Sequence, residues 1–72
     1  MMSSTSLYQQ IARKLRASIE AGTLPAGAKM PSARTLGKDH GVSILTALQA
    51  LRLLEQERLV EARPRSGFYV AR

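Results

Sequence analysis

Eleven lysines and arginines against five acidic residues give this 72-residue chain a formal charge of +6. That balance favours a polyanionic partner, with nucleic acid ahead of an acidic membrane surface. Five of the cations, Arg34, Lys38, Arg52, Arg63 and Arg65, are placed where they could neutralise phosphates. Gln49 has the amide geometry for a bidentate adenine contact, worth ~1–3 kcal/mol if made. It could equally be an exposed helical glutamine. Catalysis has no comparable set of groups. His40 is the only histidine, and Glu20, Asp39, Glu55, Glu57 and Glu61 are scattered. No histidine–carboxylate cluster, nucleophile–base pair or glycine-rich phosphate loop emerges, so the expectation is a non-enzyme without a small-molecule ligand. The absence of cysteine excludes disulfides and thiolate metal sites.

The element that must position these groups is Pro31 to Glu55. Ser32 can cap a helix that runs through Leu36 to His40, and Gly41 can take the left-handed turn that ends it. His40, beside that helix end, is a cap-region cation and not a ligand or general base. Val42 follows as an apolar plug, and Ser43 can cap a second helix starting at Ile44. Helix, glycine corner and capped helix is the layout of a helix-turn-helix, whose second helix enters the major groove. At 100° per residue, Ala47, Ala50, Leu51 and Leu54 share one face, expected to pack on Leu36, Val42, Leu15 and Ile19. Leu45, Gln49, Arg52 and Leu53 lie opposite, with Ser43 and Thr46 at the start.

The flanks supply a support. Residues 1–5 read as a flexible tail, and residues 6–72 as one small domain. Ser6 and Gln9 have capping-box spacing ahead of the stripe Leu7, Ile11, Leu15 and Ile19, with Tyr8 and Ala12 beside it. Gly22 ends that helix, and Pro25 and Gly27 prevent its continuation into the short extended piece Ala28–Met30. At the far end LVEAR and GFYVA bracket Pro64, Arg65, Ser66 and Gly67, which reads as a β-hairpin wing. The fold class is α+β, mostly α: a winged helix-turn-helix of three helices plus a small antiparallel wing. The helix-turn-helix falls at about 33–52 and the wing at about 59–71, with Ala28–Met30 completing the sheet.

In order, Leu7–Ala12, Gly22–Gly27, Met30–Leu36, Gly41–Ser43, Leu53–Val60 and Arg63–Val70 resemble the DNA-binding domain of the GntR family of bacterial transcription regulators. The likeness covers roughly residues 6 to 71. Its S-G-F-Y-V wing resembles the MocR-like branch, in which this domain is joined to a pyridoxal phosphate-binding, aminotransferase-like domain. No cofactor is expected in the present chain; pyridoxal phosphate enters only with such a second domain. The resemblance implies a homodimer on a near-palindromic operator. It also implies that Arg34, as the arginine of P-S-x-R, contacts DNA, that Ser43 and Thr46 open the recognition helix, and that Gly67 approaches the minor groove. Ile44 and Leu45 depart from it, because the family usually has arginine directly after G-V-S.

The DNA-binding set expected from residues and resemblance together is Ser32, Arg34, Lys38, Ser43, Ile44, Leu45, Thr46, Gln49, Arg52, Arg63, Arg65, Ser66 and Gly67. Ile44 and Leu45 offer only apolar contact, for instance to a thymine methyl. Two alternatives stay open. Ile44, Leu45, Leu48 and Leu53 could bind another protein surface, or Ile44 and Leu48 could simply flank the core. No stretch resembles a signal peptide or approaches the ~20 apolar residues of a membrane span, so no membrane partner and a cytoplasmic location are expected.

Overall fold

The computed structural model describes residues 6–72. Three helices come first: α1 (Leu7–Ala21), α2 (Ala33–His40) and α3 (Ile44–Gln56). Two strands follow, β1 (Val60–Arg63) and β2 (Gly67–Val70). The expected flexible tail, residues 1–5, lies outside the described residues.

Each helix starts on a serine in extended conformation. Ser6 Oγ accepts from the Gln9 amide while the Gln9 side chain accepts from the Ser6 amide, a complete capping box. Ser32 and Ser43 use one shared device. Each accepts from the amide three residues on and donates its own proton to the hydroxyl of that residue, Thr35 or Thr46. Every such cap satisfies one donor that the helix itself cannot.

The helix ends are equally specific. Gly22 and Gly41 close α1 and α2 in the left-handed region. No glycine is available after α3, yet the chain still turns left-handed, at Arg58 with φ 65°. The Arg58 and Leu59 amides donate to the Glu55 and Leu54 carbonyls at 2.9 Å each, the paired bonds of a Schellman motif. Leu59 is half-buried and packs against the core, as an apolar residue after such an ending does.

The core collects Ile11, Ala12 and Leu15 from α1, Leu36 from α2, and Ala47, Ala50, Leu51 and Leu54 from α3. Met30, Val60 and Val70 close it from the sheet side. Val42 and Ile19 pack against it half-buried, as the periodicity implies. Two apolar residues differ from expectation. Leu7 opens the α1 stripe but is 57% exposed, because it stands on the first turn with no element covering it. Leu53, expected on the outward side of α3, is half-buried and packs against the core. At 100° per residue it falls to one side of the outward ridge, toward α1, where it lines a groove with Gln9, Arg13 and Arg16.

β1 and β2 pair antiparallel in the register Val60↔Val70, Glu61↔Tyr69, Ala62↔Phe68 and Arg63↔Gly67. The expected third strand is reduced to one antiparallel bridge, Lys29↔Tyr69. Three backbone bonds sustain it: Gly27 N–H to Val70 O, Met30 N–H to Phe68 O and Val70 N–H to Ala28 O. Pro31 and the Ser32 cap end the extended piece before it can lengthen.

Candidate nucleic-acid interface

The corner between α2 and α3 is set by a small residue. Gly37 is buried, and a Cβ built on it would lie 2.9 Å from the Val42 carbonyl oxygen. The Val42 amide reaches back to the Gly37 carbonyl at 2.9 Å. Together these contacts fix how α3 leaves α2. The outcome is an exposed α3 start, with Ser43, Ile44 and Leu45 all open to solvent. The first amides of a helix have no partner inside it and carry a partial positive charge, which suits a phosphate.

The outward ridge of α3 is Leu45, Gln49, Arg52 and Gln56, spaced by four, three and four residues and opposite the buried alanines. Leu45 is 67% exposed and Ile44 49%. Gln49 and Arg52 also line a shallow open groove with Tyr8, Leu53 and Gln56. Thr46 is half-buried, its hydroxyl engaged with Ser43. On α2, Arg34 and Lys38 are exposed and four residues apart, so they share one face.

The wing holds its cations differently. Pro64 and Arg65 occupy the two central positions of the turn closed by Ser66 N–H to Arg63 O at 3.0 Å. Proline in the first of these positions and a positive φ in the second is the pattern of a type II turn. Arg65 provides that angle, φ 64°, although it is not glycine. Arg63 lies on the hairpin face shared with Tyr69, its guanidinium 4.2 Å from the ring centroid. It also stands 3.9 Å from Glu61, both side chains about half exposed. Ser66 Oγ and the Tyr69 hydroxyl are hydrogen-bonded, which ties the tip to the strand. Gly67 has φ 124°, and a Cβ there would touch the Lys29 side chain at 3.6 Å.

Lys29 is therefore a further cation beside the wing, absent from the expected set. The signal was its place in the extended piece that pairs with Tyr69. A second pair also escaped sequence reasoning. Arg16 forks onto both carboxylate oxygens of Glu57, with donor–acceptor distances of 3.0 and 2.9 Å, and clamps α1 to the end of α3. Forty-one residues separate the two, too far for any local pattern to link them.

The protein-binding alternative loses part of its surface here, because Leu53 is half-buried against the core and Leu48 is half-buried as well. What remains apolar and open at this end of α3 is Ile44 and Leu45. No helix among the described residues is long and apolar enough to cross a membrane. No group of three or more acidic, histidine or cysteine side chains among them could hold a metal.

A glycine-cornered helix pair on a supporting first helix, with a basic hairpin following, defines a winged helix-turn-helix protein. Comparison with known proteins places it further. The chain belongs to the bacterial regulatory proteins, gntR family, whose sequence profile matches residues 7–70. It is 47% identical over 64 residues to YjiR, an HTH-type transcriptional regulator of Escherichia coli (strain K12). The match spans 89% of this chain and 14% of that protein. Among solved structures, YtrA from Sulfolobus acidocaldarius, a GntR-family transcription factor, superposes with a TM-score of 0.88 at 33% identity. It covers all of this chain and 61% of YtrA. The DNA-binding domain of AraR, solved in complex with its operator ORX1, superposes with a TM-score of 0.86 at 26% identity. There the overlap is 97% of this chain and 87% of that one.

Proposed function

We propose that this domain docks on duplex DNA with the first turn of α3 in the major groove and the β1–β2 wing along the adjoining minor groove. In this arrangement the family's role in transcription regulation is exercised by occupying an operator. The observation that carries it is the solvent-open start of α3 at Ser43–Leu45, held there by the Gly37–Val42 corner. Arg34 and Lys38 on one face of α2 and Arg52 on the α3 ridge are the phosphate ligands. Arg34, near the groove mouth, also has the reach for a guanine edge. Ser32, Ser43 and Thr46 hold the two helix starts in shape, so backbone amides meet phosphate there. At the wing, Arg65 enters a narrow minor groove. Ser66 and Gly67 shape the tip, while Arg63 and Lys29 face its walls.

Two copies bound to a near-palindromic operator would place their half-sites about one helical turn, ~34 Å, apart. A MocR-like partner domain would bring pyridoxal phosphate. That cofactor is held through a lysine Schiff base, and Lys14, Lys29 and Lys38 are all exposed here. The residues present do not fit the cofactor, so no step of the proposed DNA docking depends on it.

Selection of duplexes from a random pool by the 72-residue chain tests this function. A palindromic consensus should emerge, with competition by unrelated duplex at least ~10³-fold weaker. A pool that stays random after repeated rounds contradicts it.

A further inference from the structure

The end of α3 offered to the groove carries no cation, and its two hydroxyls are engaged with each other. Ser43 and Thr46 are bonded to each other, oxygen to oxygen at 3.0 Å, and Ser43 also accepts from the Thr46 amide. What stands out from this turn is Leu45, 67% exposed, with Ile44 beside it at 49%. Two aliphatic side chains make a patch too small for a stable protein interface, which needs roughly 800 Å² from each partner. Arg34 and Lys38 on α2 and Arg52 on α3 are exposed cations of the same pair of helices, and they favour a polyanion. The major groove of DNA offers one apolar group, the 5-methyl of thymine.

We infer that Leu45, flanked by Ile44, reads thymine methyl groups, so that this domain specifies A·T pairs where an arginine would specify guanine. The inference rests on the docking proposed above. Gln49 stands one helical turn beyond Leu45 on the same ridge. Its amide matches the N6 and N7 edge of adenine. Leucine and glutamine in sequence along one ridge therefore recognise a short A·T-rich core within each half-site.

The test replaces thymine by deoxyuridine, one position at a time, in a duplex enriched by the chain from a random pool. Pairing is retained and a single methyl is lost. Affinity should fall about fourfold at one or two positions in each half-site, the worth of one buried methyl, and stay level elsewhere. Leu45→Ala should bind thymine and uracil duplexes equally, with an unchanged melting temperature, because the residue lies outside the core. Leu45→Met, apolar and of similar length, should keep the preference. Indifference of the native chain to every uracil, or a full thymine preference in Leu45→Ala, overturns methyl reading while DNA docking stands. Failure to enrich any sequence overturns both together.

Discussion

The Val42 amide bonds the Gly37 carbonyl, and the Val42 carbonyl oxygen in turn lies where a Gly37 side chain would begin, 2.9 Å from an ideal Cβ. α2 can meet the turn this closely only because residue 37 has no side chain. Gly37→Ala should gain up to ~1 kcal/mol of helix propensity and lose ~1–3 kcal/mol to overpacking. The second effect wins, because the obstacle is backbone and cannot rotate away. A net loss of up to about 2 kcal/mol is expected in urea denaturation. A more stable variant would show that the corner relaxes freely.

The caps and corners of this fold were legible in the sequence because they are local. Ser6 with Gln9, Ser32, Ser43, Gly22 and Gly41 each announce a helix boundary within four residues, and all serve as read. The arrangement of buried Ala47, Ala50, Leu51 and Leu54 followed from helical period alone. What stayed hidden depends on distance or on conformation. Gly37 sits inside α2, where glycine signals only a weak helix, and its role becomes visible once Val42 is folded over it. Arg58 ends α3 left-handed with no glycine to signal the turn. Arg16 and Glu57 meet across the whole helical unit. Leu7 and Leu53 fit the right periods, but exposure depends on which neighbour covers each residue. Within the candidate interface the sequence identified residue types, and the corner set by Gly37 determined which of them open outward.

Two arginines hold positive φ, and their replacement by glycine separates backbone strain from charge. A left-handed non-glycine residue costs about 1 kcal/mol or more, while glycine adds about 0.5–1 kcal/mol of unfolded-chain entropy. Arg58→Gly and Arg65→Gly should each change stability by about 0 to +1 kcal/mol, measured by thermal melting. Their effects on DNA should diverge. Arg65→Gly should weaken operator binding about tenfold and Arg58→Gly less than threefold, in anisotropy titrations at one salt concentration. Equal effects would deny the wing tip its special position.

The Arg16–Glu57 clamp is bidentate, but its side chains are about a third exposed. Such pairs contribute little after screening. A double-mutant cycle with Arg16→Ala and Glu57→Ala should give a coupling of about 0.5–1 kcal/mol that shrinks in 1 M salt. A coupling above ~2 kcal/mol, insensitive to salt, would mean that the pair sets the α1–α3 packing rather than decorating it.

Ser43 serves both the fold and the interface. Ser43→Ala removes the acceptor for the Thr46 amide and should cost about 1 kcal/mol. Ser43→Asp restores the cap but places a negative charge at the helix end. Stability should recover in the aspartate variant, while DNA affinity should fall at least tenfold. Tight binding by Ser43→Asp would show that no phosphate approaches this helix start.

The slope of log affinity against log salt concentration, for the selected duplex, probes the cationic face as a whole. Five contacts from Arg34, Lys38, Arg52, Arg63 and Arg65 give a slope of about −4 to −5, since each phosphate neutralised contributes ~0.9. Arg34→Ala should lower affinity about tenfold or more and flatten the slope by about 1. A native slope near zero, or an Arg34→Ala slope equal to the native one, would contradict a DNA-binding face built on α2, α3 and the wing.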